Sequence, residues 1–407
     1  MPLSDIARAI EDRFHRESIP IFRRKGWRPR VIPYHGYGTT GAPDGTAPWS
    51  PDGSMARIMA RMVMRPRDAP DEGPLFSSLP ERLPASAAQA RDLAVTSLLE
   101  AQRGWRLFIE VPVSYLPVTV RVGGRSVRTR ADHNGYIDVV VRGHDLEPGW
   151  HEVRIEAAGA RPVSARLLIV PPGPRLGIVS DIDDTAMVTH VPRVLVAAWN
   201  QLVRHSDARE PVPGMAELYT GIQAAHPGCP IMYLSTGAWN VVPTLRAFLH
   251  RNGFPDGPAL MTDWGPTNTG WFRSGIEHKR TELRRLMIDL PEVTWLLVGD
   301  DGQHDPYIYG EAARHHSDRI AAVAIRRLTP AQHMLAGGLT VHPMGIGPEA
   351  RTLAEADVPV VVGSDGYELA RMLPPGLLAP GGREARRVCS PSADGALPHR
   401  PPAHGAR

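Results

Sequence analysis

Lysine, cysteine and long apolar runs are scarce in this sequence. The low cysteine content and the lack of long apolar runs each exclude a class of protein. Lysine occurs only at Lys25 and Lys279, so arginine makes up 44 of the 46 basic residues. The two cysteines, Cys229 and Cys389, are too few for a disulfide framework or a cysteine-rich metal site. No apolar run approaches the roughly 18 residues of a membrane span, and the N-terminal residues show no signal-peptide pattern. We therefore expect a cytoplasmic protein.

The size and charge of the chain favour a multidomain protein that does not bind nucleic acid. Its 407 residues have room for two or three domains, and 42% hydrophobic residues suffice for a sizeable core. The net charge of +3 is too small to indicate nucleic-acid binding. Shifts in composition predict four segments, at residues 1–30, 31–172, 173–373 and 374–407. The last is rich in Pro, Gly, Ala and Arg, which predicts disorder.

The segment 1–30 combines an amphipathic pattern with basic and aromatic residues. Ile6, Ile10 and Phe14 share one helical face, and residues 22–28 mix cations with aromatic rings. The segment holds eight Lys or Arg against four Asp or Glu. One interpretation of this pattern is peripheral attachment to anionic lipid at the inner membrane face, with about 1 kcal/mol from each cation. A helix packed on the next domain, followed by a solvated basic linker, explains the pattern equally well.

The segment 31–172 has the short alternating runs of a small β-sandwich. Tight-turn signals such as Gly123-Gly124 and Asn134-Gly135 separate these runs. We predict strands at 30–33, 56–64, 105–111, 117–122, 135–141, 151–157 and 164–170. An Ala- and Leu-rich stretch at 84–102 predicts a helix inserted between two of them. The segment carries no group of residues suited to catalysis, so we expect a structural or targeting module.

After the stiff linker Pro171–Pro174, strand and helix patterns alternate. The predicted elements are strands at 176–181, 230–235, 294–299, 320–326 and 358–362, and helices at 192–204, 214–225, 240–252, 276–288, 305–315 and 365–373. This alternation predicts an α/β domain with a doubly wound, mainly parallel sheet. Such sheets place their functional sites at the carboxyl ends of the strands.

Three carboxylates, those of Asp181, Asp183 and Asp184, crowd the end of the apolar run at 176–179. They would repel one another unless a cation lay among them. A divalent ion that prefers oxygen ligands would resolve this, and we expect Mg²⁺. The alternative is an acidic turn that caps a helix, with Asp184 or Thr185 as the N-cap.

The order Asp-x-Asp-x-Thr after a strand resembles motif I of the haloacid-dehalogenase-like phosphotransferases. The resemblance implies that Asp181 is a nucleophile that becomes an aspartyl phosphate. It also implies that Asp183 protonates the leaving oxygen and then activates water. Thr185, in the same motif, is expected to contact the substrate.

Two later stretches resemble motifs II and III of the same superfamily. Ser235 ends an apolar strand, and its hydroxyl with the backbone of Thr236 and Gly237 is expected to bind the phosphoryl oxygens. A serine before a glycine turn is also common without any function. Lys279 stands near the start of a predicted helix in a chain that otherwise uses arginine, and the resemblance implies that it neutralises the phosphoryl group and the nucleophile. The alternative is an ordinary surface lysine.

The run Gly-Asp-x-x-x-x-Asp that follows the strand at 294–299 resembles motif IV. It implies that Asp300 binds the metal ion, and that Asp305 or Asp301 supports the site from behind the ligands, directly or through water. The implied Mg²⁺ ligands are therefore the carboxylates of Asp181 and Asp300 and the backbone carbonyl oxygen of Asp183.

The resemblance extends to the catalytic domain of the actin-patch-type phosphatidate phosphatases and their bacterial relatives, where the domain follows a small β-domain. It rests on Ser180–Thr185 with Val188-Thr189, Tyr233–Ser235 with Trp239-Asn240, Asp263–Gly265, Gly299–Pro306 with Tyr309, and the upstream Tyr34–Gly38. It would cover roughly residues 31–373. The chain departs from the family at Thr236–Ala238, where an Asn-Ser-Pro-like sequence is expected, and at Asp301, where serine is usual.

The resemblance implies a Mg²⁺-dependent phosphomonoester hydrolase that converts phosphatidate to diacylglycerol and phosphate. A phosphatase for a protein or a soluble phosphomonoester is the alternative, and a non-enzymatic module that binds membrane surfaces is another. The gaps of 54 and 44 residues between Asp181, Ser235 and Lys279 are nearly filled by predicted core elements. We therefore expect little or no cap domain and an open site, which suits a phosphate on a large substrate such as a lipid.

Overall fold

The computed structural model describes residues 23–24, 26–40, 53–66, 111–188, 210–262, 275–302, 304–335 and 357–378. Several predicted features lie outside these residues: the amphipathic helix before residue 23, the inserted helix at 84–102, the strand residues 105–110, the helix at 192–204, and the tail from residue 379.

The first domain is one hydrogen-bonded sheet of nine strands. They are β1 (Trp27–Pro33), β2 (Gly36–Thr39), β3 (Met55–Pro66), β4 (Val111–Pro112), β5 (Pro117–Val122), β6 (Arg125–Arg130), β7 (Tyr136–Arg142), β8 (Gly149–Ala157) and β9 (Val163–Val170). All pairs are antiparallel except β2 with β9. The two ends of the sheet, β6 and β7, contact each other. The predicted sandwich is thus a single sheet that curls around its own core of buried Val, Ile, Leu and Met side chains.

Strand β3 is the centre of this sheet, and the register of its pairing changes between β1 and β2. On one side β3 pairs with β7, and on the other it pairs with both β1 and β2. Pro33 pairs with Ala60, and Tyr37 pairs with Arg57. Four residues along β1 and β2 therefore correspond to three residues along β3. The strand formed by β1 and β2 therefore contains one extra residue, as in a β-bulge.

The second domain is a parallel sheet of six strands. They are β10 (Arg175–Ser180), β11 (Ile231–Ala238), β12 (Ala259–Thr262), β13 (Val293–Asp300), β14 (Ile320–Arg326) and β15 (Val360–Gly363). Their order is β12-β11-β10-β13-β14-β15, and all neighbours run parallel. The central strands are buried on both faces, which explains their continuous apolar sequences. The predicted α/β sheet is confirmed.

Helices connect these strands. They are α1 (Met215–Ala225), α2 (Val242–Arg251), α3 (Gly275–Asp289), α4 (Asp305–His315), α5 (Pro330–Leu335) and α6 (Gly366–Met372). The longest, α3, has 15 residues. Within the described segments, no helix is both long and apolar enough to cross a membrane.

The two domains share a hydrophobic core. Tyr34, Tyr37, Met59 and Val170 of the first domain are buried in the same cluster as the central strands of the parallel sheet. This cluster is separate from the core that the first sheet encloses. The first domain therefore packs directly on the second, rather than being held only by the linker at 171–174.

We predict that Asp365→Ala destabilises the protein by about 1 kcal/mol. Asp365 caps α6, because its Oδ1 accepts a hydrogen bond of 2.8 Å from the backbone N–H of Glu368. Chemical denaturation would measure the loss, with Asp318→Ala at an exposed position as the control. A loss no larger than that of the control would contradict the assigned cap.

Candidate active site

The residues predicted to carry chemistry lie at the carboxyl ends of central strands. Asp181 directly follows β10, Ser235 lies near the end of β11, and Asp300 is the last residue of β13. Because β10 pairs in parallel with both β11 and β13, these three strand ends meet at one edge of the sheet. Lys279, in the first turns of α3, reaches the same edge.

The ammonium group of Lys279 lies between two buried carboxylates. Its Nζ is 2.9 Å from Asp181 Oδ1 and 2.6 Å from Asp305 Oδ1, and none of the three side chains is more than 5% exposed. Burial lowers the pKa of Lys279, but the two carboxylates outweigh burial and raise the pKa above its ordinary value. Burial also raises the pKa of Asp305 to about 6, against the opposing effect of Lys279. The lysine is therefore a fixed positive charge beside Asp181.

Asp181, Asp300 and Asp305 form a group that could hold a metal ion. One carboxylate oxygen from each lies within 4.8 Å of the others, and all three residues are buried. Lys279 supplies one positive charge against three carboxylates, so negative charge remains to be balanced. Oδ2 of Asp305 is buried and has no hydrogen-bonding partner among the described residues. An oxygen in this position needs a cation or an ordered water, so the residues present fit a hard divalent ion such as Mg²⁺.

Asp300 is oriented by two donors. The backbone N–H of Gly302 donates to its Oδ1 at 2.8 Å, and the hydroxyl of Thr185 lies 3.3 Å from its Oδ2. Thr185 is itself buried and follows the acidic motif, so it ties the end of β10 to the end of β13. The contact of Thr185 with a substrate stays a prediction.

Ser235 and Asp183 form a second pair at this edge. The hydroxyl of Ser235 lies 3.3 Å from Asp183 Oδ2 and accepts a hydrogen bond of 2.9 Å from the backbone N–H of Gly237. The pairing of β11 with β12 shifts register between Leu234 and Ala238, so this stretch leaves the regular ladder. The structure therefore brings the predicted acid/base residue and the predicted motif II serine together. The role of the Asp183 carbonyl oxygen as a metal ligand stays a prediction.

Arg326 is a site residue that the sequence reasoning missed. It ends β14, is 5% exposed, and donates hydrogen bonds to the backbone carbonyl oxygens of Asp184 at 2.6 Å and Ser364 at 3.1 Å. Asp184 has the left-handed φ of 58°, which is costly for a residue with a side chain. Arg326 thus fixes the loop that carries Asp183. An arginine at the end of an otherwise apolar buried strand was the available signal.

Two of the predicted residues do not join the acidic group among the described contacts. Asp301 accepts a hydrogen bond of 2.8 Å from the backbone N–H of Leu328 and lies 3.2 Å from His333 Nε2, so it ties its loop to the stretch after β14. The methyl group of Thr236 lies against Gly275, at the start of α3. Thr236 therefore links the end of β11 to the helix that carries Lys279.

Comparisons with known proteins show what residues 176–327 are similar to. Residues 176–327 match the family model for the catalytic domain of phosphatidate phosphatase APP1. The chain is 25% identical over 152 residues to phosphatidate phosphatase APP1 of Saccharomyces cerevisiae, and 25% identical over 155 residues to an uncharacterized protein of Schizosaccharomyces pombe. Each alignment covers 37% of this chain, and 26% and 25% of the two relatives. The chain thus spans about a quarter of the length of these relatives.

Similarity to solved structures is weak. A carbohydrate acetylesterase from Xanthomonas citri aligns over 62% of both chains with 11% identity and a TM-score of 0.23, which supports no further statement. The family match, by contrast, includes the acidic loop, Ser235, Lys279 and Asp300. Residues 176–327 are therefore similar to a phosphatase catalytic domain of the APP1 type.

We predict that Gly299→Ala lowers phosphatase activity by about tenfold or more. A Cβ atom at Gly299 would lie 2.5 Å from Asp305 Oδ2 and 2.7 Å from Tyr309 Cε2, so Asp305 and with it Lys279 would have to move. The control is Gly221→Ala in α1, where the new methyl group meets only an ordinary contact with Leu378. Equal activity of the two variants would contradict the tight packing proposed behind the site.

We predict that Mg²⁺ raises the thermal unfolding temperature of the wild type and that Asp300→Asn largely removes this shift. A ligand that binds only the folded state stabilises it by about 2.7 kcal/mol at a hundredfold excess over its Kd. Differential scanning fluorimetry with Mg²⁺ and with chelator measures the effect. An undiminished shift in Asp300→Asn would place the ion elsewhere.

Proposed function

We propose that this chain, which carries an APP1-type phosphatase catalytic domain, is a Mg²⁺-dependent phosphatidate phosphatase that acts through an aspartyl phosphate. The observation that carries the proposal is the Asp181 carboxylate, held by the Lys279 ammonium at 2.9 Å in a buried acidic site. A nucleophilic carboxylate must approach a phosphate that is itself negative. The lysine reduces that repulsion while it fixes the direction of the carboxylate.

In the first step, an oxygen of Asp181 attacks phosphorus in line with the bond to the glycerol oxygen. That bond breaks, and Asp183 donates a proton to the departing oxygen, which leaves as the hydroxyl of diacylglycerol. The hydroxyl of Ser235 lies 3.3 Å from the Asp183 carboxylate, and this contact supports the role proposed for Asp183. The products of this step are diacylglycerol and the phosphorylated Asp181.

In the second step, Asp183 accepts a proton from water, and the water oxygen attacks phosphorus. The bond between phosphorus and Asp181 breaks, so inorganic phosphate leaves and the carboxylate is restored. Lys279 balances charge on the equatorial oxygens in both steps. The hydroxyl groups of Ser235 and Thr185 and the backbone of Thr236 and Gly237 are proposed to bind the same oxygens.

The residues proposed to hold Mg²⁺ are Asp181, Asp300 and the backbone carbonyl oxygen of Asp183, with Asp305 behind them. The bound ion would supply further positive charge against the phosphoryl oxygens. Asp305 holds Lys279 at 2.6 Å and offers one more buried oxygen toward the acidic group, which supports its position behind the ligands.

We propose a lipid as substrate because the site is expected to be open. Between β10 and β11 the described residues form only the loop at 181–188 and α1. Between β11 and α3 they form only a 3₁₀ turn, α2 and β12, which belongs to the main sheet. Neither described stretch forms a separate cap, and residues 189–209 and 263–274 are not among them. The yeast relative is a phosphatidate phosphatase by name, and this is the second support.

The test is phosphate release from phosphatidate in mixed micelles, with and without Mg²⁺. We expect release by the wild type only with the metal, and a loss of about a thousandfold or more in Asp181→Asn. Asp318→Asn, an exposed carboxylate of the same domain, is the matched control and should retain activity.

A parallel assay with an aryl phosphate separates mechanism from substrate. Metal-dependent hydrolysis of the aryl phosphate without release from phosphatidate would keep the aspartyl-phosphate mechanism and favour a soluble or protein phosphomonoester. Undiminished activity of Asp181→Asn on both substrates would contradict the aspartyl-phosphate mechanism.

A further inference from the structure

An ionic network centred on the buried Arg57 joins the first domain to helix α3. Arg57 on β3 is 3% exposed, and its guanidinium binds Asp138 on β7 through two hydrogen bonds of 2.8 and 2.7 Å. The same guanidinium crosses to the second domain, where it binds both carboxylate oxygens of Glu282, one of them at 3.1 Å. Arg285 reaches back from α3 to Asp138 at 2.9 Å. Two forked contacts from one rigid group fix direction as well as distance.

Tyr37 completes this network. Its hydroxyl donates to Asp289 at 2.7 Å, at the end of α3, and accepts from Arg57 at 3.2 Å. Burial lowers the pKa of Arg57, but its carboxylate partners outweigh burial and raise the pKa above its ordinary value, so the charge is retained. A buried charge is tolerated only while its partners stay in place. Moving α3 away from the sheet would therefore break the contacts of Arg57 with Glu282, of Arg285 with Asp138 and of Tyr37 with Asp289.

Helix α3 is the element that carries Lys279. Glu282 follows Lys279 by three residues, so the two side chains leave neighbouring turns of one helix. The helix touches the first domain at Glu282, Arg285 and Asp289, and touches the acidic site at Lys279. A shift of α3 would change the distance between Lys279 and Asp181 directly.

A second contact reaches the other side of the site. The ring of Tyr34 stacks on Trp239 with 4.4 Å between centroids. Trp239 begins the 3₁₀ turn directly after β11, four residues beyond Ser235. The short segment Tyr34–Tyr37 thus contacts the element that follows Ser235 and, through its last residue, the helix that carries Lys279.

We infer that Tyr34, Tyr37 and Arg57 are positioning residues for phosphoryl transfer, so that the first domain is an obligatory part of the catalytic unit. They hold α3 and the end of β11 in register, which sets Lys279 and Ser235 around Asp181. The inference rests on the proposed function for what is positioned. The physical coupling between the domains does not depend on the substrate.

The first measurement is hydrogen exchange of the full-length chain, which does not require activity. Tyr37→Phe removes one hydroxyl and keeps the ring, and Arg57→Met removes the forked charge. We expect amide exchange in α3 around Lys279 to become about fivefold faster or more in both variants. The control is Asp256→Asn, which breaks another ion pair between the domains, that of Arg166 with Asp256 at 2.6 Å. That pair is about 40% exposed and touches neither α3 nor Trp239, so exchange in α3 should not change.

The second measurement is turnover of an aryl phosphate by these three variants and by Tyr34→Leu. We expect Tyr37→Phe, Arg57→Met and Tyr34→Leu to lower kcat by about tenfold with little change in KM, while Asp256→Asn stays near wild type. Unchanged exchange in α3 together with unchanged kcat would overturn the inference. An equal loss of kcat in Asp256→Asn would also overturn the inference, because the loss of any contact between the two domains would then lower activity.

The two measurements separate this inference from the proposed function. If the wild type released no phosphate from any substrate, the proposed function would fail. Hydrogen exchange alone would then test whether the first domain holds α3 in place. Faster exchange in α3 with wild-type kcat would show that the network stabilises the helix without positioning Lys279, and would count against the inference.

Discussion

The site depends on one buried ammonium group held between two carboxylates. Lys279 contacts both Asp181 and Asp305 directly. The ammonium group offsets the cost of burying these carboxylates beside Asp300, and the carboxylates offset the cost of burying the ammonium group. The close packing of Gly299 against Asp305 and the position of Lys279 on α3 both bear on this arrangement. In a chain that uses arginine almost everywhere, a lysine stands here and contacts both carboxylates through one compact ammonium group.

Much of the catalytic half could be predicted from the sequence. Continuous apolar runs give β10, β13 and β14 to within one or two residues, because strands buried on both faces need them. Acidic residues directly after such runs locate the site, because carboxyl ends of parallel strands meet at one edge. The short strands β2, β6 and β12 were missed. The first is rich in glycine and the second alternates arginine with polar residues, so neither has a strand-like composition.

The rest of the site lay beyond sequence reasoning for a physical reason. Arg57, Asp138 and Glu282 are separated by up to 225 residues, and nothing in the local pattern of each shows that they meet. Arg326 contacts the Asp184 carbonyl oxygen across 142 residues of sequence, which the local pattern at the end of β14 does not show. The segment 31–172 is expected from its sequence to be a structural or targeting module, and nothing in its pattern shows that Tyr34 and Tyr37 are buried in the core of the parallel sheet. Contacts between distant parts of a chain are a property of the assembled fold.

The extra residue between β1 and β2 has a consequence for how this chain can vary. Side chains alternate along a regular strand, so residues three apart point to opposite sides. Tyr34 and Tyr37 are three apart, yet both enter the same core, because the bulge resets the alternation between them. A single deletion here would turn one tyrosine away from the catalytic domain without altering any catalytic residue. The spacing of this short segment, and not its composition alone, therefore decides whether both tyrosines reach the shared core.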